Sequence, residues 1–186
     1  MKKLSKIIAS LGLILILGSI SLNLYTKYKE KQAINNLKQK IELKDDSDEI
    51  KEVNIGDEIA LIDIGSLNIN SIIVSGIGKD QIRHYIGHFE NTPMPGEFGN
   101  FSIAGHSSTI YNNVFNNLKN IKIGEDIVIT TVNGKFTYKV NEIFESDPSN
   151  MSVLDQDNEK KEMTIVTCTK DGKERLIVKA ILDEKV

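Results

Sequence analysis

Short apolar runs rich in β-branched residues, each broken by a glycine or a turn, fill the chain from residue 59 onward. Residues 59–64 and 69–74 are two of them, bracketed by Gly56, Gly65 and Gly76. Such runs are too short for helices that bury a whole face and the right length for strands. Residues 98–104 read as another strand. Residues 126–132 and 135–144 flank Asn133-Gly134, the strongest short hairpin signal, because both residue types tolerate positive φ. Residues 163–167 and 176–182 form a last pair around Cys168 and the turn Thr169-Lys170-Asp171-Gly172. Residues 80–88 and 114–121 read as short helical turns. Many short strands joined by turns, without regular strand–helix alternation, predict a mainly β fold, a sandwich or a barrel.

Residues 1–25 are of another kind. Lys2, Lys3 and Lys6 precede an uncharged run over residues 7–25. At 1.5 Å rise per residue, that run is just long enough to cross a thin hydrocarbon core. Ser10, Ser19, Ser21 and Asn23 weaken it. Even so, Ser19-Ile20-Ser21 is a poor small-x-small cleavage site and the run exceeds a signal core, so it reads as an uncleaved transmembrane helix. Lys27, Lys29 and Lys31 flank the far side, so charge alone does not orient it. Residues 26–52 are rich in lysine and acids and read as a polar linker. Within it Ile34, Leu37 and Ile41 recur at helical spacing, which continues the anchor as an exposed helix. Asp45-Asp46-Ser47-Asp48-Glu49 lacks the turn glycine and spaced glutamate of a calcium loop and reads as solvated. The folded domain spans residues 53–186. A net charge of −3 leaves no basic excess to displace counterions from nucleic acid. No Walker loop, dinucleotide fingerprint or zinc-ligand cluster is present.

Cys168 is the only cysteine. It forms no intrachain disulfide and is either a small core residue or a nucleophile. A turn centred on Asp171-Gly172, of two or four residues, pairs Cys168 with Arg175, their Cβ atoms about 4.5–5.5 Å apart on one face. By alternation that face also carries Thr164, Val166, Ile177 and Lys179, whereas Met163, Ile165, Leu176, Val178, Ala180 and Leu182 form the more apolar side. The core is therefore expected behind the cysteine, with thiol and guanidinium facing a groove, since burying an unpaired guanidinium is too costly. A lone thiol is usually inert core; an arginine beside it on the polar face favours a reactive one, which still needs a base. His84 and His88, four apart in a presumed helical stretch, have no evident third metal ligand and read as surface or packing residues. His106 ends the strand-like run Phe101-Ser102-Ile103-Ala104-Gly105-His106. It is better placed for a site, although spacing alone does not bring it to Cys168.

These residues resemble a sortase, a membrane-anchored cysteine transpeptidase of Gram-positive cell surfaces. Thr164-Ile165-Val166-Thr167-Cys168 is similar to the family's Thr-Leu-x-Thr-Cys strand, with Ile165 in the leucine slot, and Arg175 matches its downstream arginine. The stretch from His84-Tyr85-Ile86-Gly87-His88 through Pro93-Met94-Pro95-Gly96 to Ile103-Ala104-Gly105-His106 resembles the segment leading to the catalytic histidine. The resemblance implies an eight-stranded sortase-type β-barrel with short helices behind the transmembrane helix. It implies Cys168 as nucleophile, His106 as general acid/base and Arg175 as the cation for substrate or oxyanion, with Thr167 and Val166 as substrate-groove candidates. It also implies a catalytic domain on the outer face of the cell membrane. The absence of an Asp-Pro-aromatic lid and of a hydrophobic C-terminal tail argues against a pilin-polymerising type. The short segment over residues 146–162 leaves little room for the extra helix of the haem-acquisition type, so a class D-like or other housekeeping-like enzyme is expected.

The implied partners are a Leu-Pro-x-Thr-Gly-like sorting signal, cleaved between Thr and Gly through a thioester, and an amine of a peptidoglycan precursor. No cofactor is needed, because the thioester conserves the bond energy. No acidic set matches the calcium site of some relatives, so no metal is expected. For an isolated thiol and imidazole at reference pKa values near 8.5 and 6.5, the ion pair would make up on the order of 1% of molecules at pH 7. A guanidinium that favours the thiolate raises that share. Two rivals differ in kind. An L,D-transpeptidase would carry Ser-His-Gly-Cys, which is absent here. A membrane-tethered non-catalytic binding module would bury Cys168 as a structural residue.

Overall fold

The computed structural model describes residues 2–43, 53–108 and 114–184. Its body is a closed barrel of eight strands: β1 (Glu58–Ile64), β2 (Ile69–Ser75), β3 (Ile86–His88), β4 (Gly99–Ala104), β5 (Asp126–Thr131), β6 (Gly134–Ser146), β7 (Lys161–Cys168) and β8 (Arg175–Leu182). The order around the ring is β1-β2-β3-β4-β7-β8-β6-β5. Neighbours are antiparallel except β2–β3 and β4–β7, which are parallel. Closure follows from the sequence pattern: inward side chains such as Ile62, Ile73, Phe101, Ile127, Ile165 and Val178 fill one interior, and no long edge is left open.

Two local expectations shift. Over residues 80–88 the helix is only α2 (Lys79–Ile82), and the chain then enters β3. The pairing of β3 with β2 takes over because Gly87 lets the backbones approach: a Cβ there would stand 2.4 Å from the Gly76 carbonyl oxygen. His84 and His88 therefore do not share a helix face. His88 is buried on β3 against Phe101, its Nε2 3.0 Å from Thr92 Oγ1 and 3.2 Å from Pro93 O. It is a packing residue, and burial holds its pKa below the ordinary histidine range. The β5–β6 hairpin forms as expected, but its turn is Val132-Asn133, with Thr131 paired to Gly134. Thr131 Oγ1 accepts from Asn133 N at 3.0 Å, a side-chain cap that needs no positive φ at Asn133.

The Pro-Met-Pro-Gly segment seals the barrel at β6. Gly96 N donates to the buried Tyr138 hydroxyl at 2.8 Å, and burial pushes that phenol up to about 12. Gly96, at φ +87°, has no room for a side chain, since a Cβ would fall 2.2 Å from the Phe136 ring.

One helix, α1 (Lys2–Glu42), runs unbroken out of the apolar segment. From Lys6 it is long and apolar enough to cross a membrane, and in its apolar first half Ile7, Leu11, Leu15 and Leu22 stand exposed. Its later turns are not the fully exposed helix expected of residues 26–52. Ala33 and Leu37 are buried against Leu61 and Ile72 on the outer face of β1 and β2, with Ile34 and Ile41 alongside. Burial of Leu37 contributes about 2 kcal/mol relative to exposure. Glu30 accepts from Ser71 Oγ at 2.6 Å, and Lys40 Nζ lies 3.0 Å from Glu58 Oε2. The acidic run at 45–49 lies outside the described residues.

Candidate active site

β7 ends at Cys168, β8 begins at Arg175, and the two residues are direct cross-strand partners. Thr169 locks the turn between them. Its N–H donates to Glu174 O at 3.0 Å, its Oγ1 accepts from Glu174 N at 3.2 Å, and Gly172 N donates to Thr169 O at 2.9 Å. Gly172 sits at φ +72° and Asp171 does not, so the loop takes the four-residue form and keeps the expected pairing. Met163, Ile165, Val178 and Ala180 are fully buried behind the pair. The core lies where alternation puts it.

Cys168 and Arg175 are both half-buried. The guanidinium makes one long contact, from Nη1 to Glu174 O at 3.4 Å, and among the described residues no carboxylate lies within ion-pair range of it. A planar fork held this way still offers bidentate hydrogen bonding to a ligand. The adjoining rim is acidic: a hydrogen bond between the carboxyls of Glu174 and Glu145 raises the Glu174 pKa, with Asp171 and Asp147 adding to the effect.

His106 arrives by a long-range route. β4 runs parallel to β7 with Ala104 level with Val166. The pairing carries past the strand end, where Gly105 N donates to Val166 O at 3.2 Å and Thr167 Oγ1 donates to Gly105 O at 2.7 Å. His106 follows one residue after this tie to β7, beyond the last strand pair. His106 is half-buried, and its carbonyl accepts from Phe115 N at 3.2 Å. The glycine before it is required, because a Cβ at Gly105 would stand 2.8 Å from the Phe115 ring. The structure thus puts Cys168, Arg175 and the segment that carries His106 at one end of β7.

Of the groove candidates, Val166 shares the strand face of Cys168 and is half-buried. Thr167 departs from expectation. It is buried, and its hydroxyl is committed to Gly105 O, so it ties β7 to the strand end before His106 and does not line a groove. Surface grooves of about 520 and 240 Å³ lie elsewhere, between α1 and β1/β5 and beside Asn68 and Asn117. Neither contains the Cys168 cluster; side-chain chemistry, not concavity, marks this site.

Asn100 is a supporting residue that the sequence did not disclose. It is fully buried, its Nδ2 donates to Val153 O and Asp155 O at 3.2 and 3.3 Å, and its Oδ1 accepts from Thr164 Oγ1 at 2.8 Å. This network pins the segment containing the 3-10 turn Met151–Leu154 over the outer face of β4 and β7. A lone asparagine within an apolar run gives no signal of that role.

Residues 62–183 match the sortase domain family, about two thirds of the chain. The chain belongs to the sortase family. Among its relatives are Sortase A of Streptococcus agalactiae, 29% identical over 66% of this chain and 52% of that protein. Sortase D of Bacillus subtilis is 26% identical over 61% of this chain and 55% of that protein. The chain thus spans about half the length of these curated relatives. Among solved structures, the Clostridium perfringens Sortase D5 transpeptidase superposes with a TM-score of 0.77 at 46% identity, covering 83% of this chain and 98% of that one.

Proposed function

We propose that this sortase is a membrane-anchored cysteine transpeptidase of the outer cell surface, of class D-like or other housekeeping-like type. Cys168 is the nucleophile, His106 the general acid/base and Arg175 the substrate and oxyanion cation. The observation that carries the reading is the direct pairing of Cys168 with Arg175 at the strand end that His106 reaches through the β4–β7 register. The 46% identity to a protein described as a transpeptidase supports it further.

In the first half-reaction the Cys168 thiolate attacks the threonine carbonyl of a Leu-Pro-x-Thr-Gly-like signal. Negative charge moves onto the carbonyl oxygen, where a guanidinium stabilises it. The C–N bond then breaks, the protonated imidazole of His106 gives its proton to the departing glycine amine, and a thioester remains. In the second half-reaction an amine of a peptidoglycan precursor attacks the thioester carbon. It passes a proton to His106, and the thiolate leaves. Proton and bond counts close over the cycle. The exposed apolar stretch of α1 provides the anchor.

The test is intact-protein mass spectrometry after incubation with a panel of sorting-signal peptides. The expected result is an acyl adduct on Cys168, labile to hydroxylamine, for at least one peptide. Recovery of adducts only on other residues, or none with any peptide while the thiol remains alkylatable, would overturn the assignment.

A further inference from the structure

The groove of about 240 Å³ does not contain Cys168, but it adjoins the segment that carries His106. One of its walls is the turn joining β1 to β2, with Leu67, Asn68 and Asn70; the other is the chain after His106, with Val114, Asn116 and Asn117. Strand sense puts both walls at the end of the barrel that holds the site. β2 is antiparallel to β1, β3 parallel to β2, β4 antiparallel to β3 and β7 parallel to β4, so β1, β4 and β7 finish at one rim. Direct contact joins the groove to the strand end. A Cβ on Gly105 would stand 3.4 Å from Val114 Cγ1, and Phe115, between Val114 and Asn116, donates its N–H to the His106 carbonyl. Among the described residues, β7, β8 and the turn between them contribute nothing to the lining. The groove therefore lies on the His106 side of the site and not on the Arg175 side.

The lining has one kind of chemistry. Its residues carry no ionisable side chain, and Leu67 and Val114 pack against the barrel core beneath it. Asn70 is committed to Asp63 at 2.9 Å. Among the described residues the side-chain amides of Asn68, Asn116 and Asn117 take no hydrogen bond, and Asn117 precedes the 3-10 turn Leu118–Asn120 without capping it. The opposite wall is fixed: Asn68 holds a left-handed backbone at φ 53°, and Ser66 Oγ donates to Glu125 at 2.6 Å. Each side-chain amide offers two donors and one acceptor, the complement of a peptide group.

We propose that this groove is an acceptor subsite, in which Asn68, Asn116 and Asn117 hold an uncharged peptide segment attached to the incoming amine. The amine then reaches the thioester from the imidazole side. Its nitrogen forms the new bond to the acyl carbon, the carbon–sulfur bond breaks, the amine proton passes to His106 and the thiolate of Cys168 departs. The inference deepens the transpeptidase reading and rests on it, because that reading makes His106 the group that takes the proton.

The experiment loads the full chain, in detergent micelles, with a sorting-signal peptide and reads by mass spectrometry how the Cys168 acyl group divides among acceptors. Glycinamide and triglycine amide share a nucleophile and differ by two peptide groups; 2-aminoethyl glucoside offers hydroxyls instead. Triglycine amide is expected to capture the acyl group about 10-fold better than glycinamide, the effect of one or two net hydrogen bonds. Asn116→Ala with Asn117→Ala removes one wall's amides. Asn68→Gly removes the other's at a position whose backbone suits glycine. Each should cut the advantage several-fold. The readout is a ratio of two acceptors, so a general disturbance of His106 cancels from it. Parity in the parent, an advantage that survives both changes, or a larger gain with the glucoside would overturn the subsite. Failure to form any acyl-enzyme would sink the transpeptidase reading and the subsite together, whereas a loaded enzyme indifferent to acceptor length would sink the subsite alone.

Discussion

Thr164 and Cys168 lie on the same face of the same strand, four residues apart, and meet opposite fates. Thr164 is fully buried, its hydroxyl donated to Asn100 and its surroundings closed by the segment over residues 151–155. Cys168 is half-buried, at a strand end where no such segment is pinned by Asn100. Alternation puts both polar groups outside the barrel, but what becomes of each depends on the cover the chain lays over it. A polar residue on an outward strand face stays accessible only where that cover stops; along β7 it closes over Thr164 and leaves Cys168 half-buried.

The largest effect expected is from Cys168→Ala, which should reduce acyl transfer below detection and leave circular dichroism and the unfolding midpoint near those of the parent. Persistent turnover would make some other group the nucleophile. The contrast between the two positions can be read directly with iodoacetamide. Cys168 should alkylate at least about 100-fold faster than a cysteine introduced as Thr164→Cys in the Cys168→Ala background, because the sealed position reacts only through local opening. Similar rates would mean that the cover over Thr164 does not exclude reagents.

Arg175→Lys keeps the charge and loses the fork. It should lower kcat/KM by about 10²–10³-fold, the usual effect of removing one oxyanion donor. Near-parental turnover would reduce Arg175 to a point charge. At the sealed end, Asn100→Ala removes the shorter acceptor of the Thr164 hydroxyl and the side-chain donor to Val153 O and Asp155 O, leaving Thr164 only its long bond to Val153 O. It should cost about 2–3 kcal/mol of stability, measured by urea unfolding, with the surviving folded fraction still active. A smaller and slower change is expected from His88. Its folded pKa is depressed by burial, so the unfolded chain binds the proton first as pH falls below about 6.5. Stability should therefore decline from pH 7 toward pH 5, and the decline should be shallower in His88→Gln. An unchanged slope would assign acid sensitivity elsewhere.

Much of this was legible in the sequence, for reasons that differ by region. The β7–β8 hairpin obeys local arithmetic: a turn at Asp171-Gly172 fixes the Cys168–Arg175 pair, and alternation fixes which side is core. β1, β2, β4, β5 and β6 announce themselves by β-branched runs. β3 did not, because three residues containing a glycine and a histidine carry no alternation, and a tertiary partner, β2, decided their state. The docking of α1 left a usable trace in Leu61. Residues 59–62 are apolar on both faces, and a strand with two apolar faces needs covering on both. The tie of the segment before His106 to β7 had no local trace at all. It depends on parallel pairing of strands about 60 residues apart, which spacing does not encode.

That parallel pairing has a kinetic consequence. Contacts of long sequence separation form late, after loop-closure entropy has been overcome, and β8 completes the ring between β6 and β7. The β7–β8 hairpin brings Cys168 and Arg175 together locally, whereas the tie between Gly105 and Thr167 forms only with the long-range β4–β7 pairing. A chain that has not yet paired β4 with β7 holds the Cys168–Arg175 hairpin without the segment that carries His106.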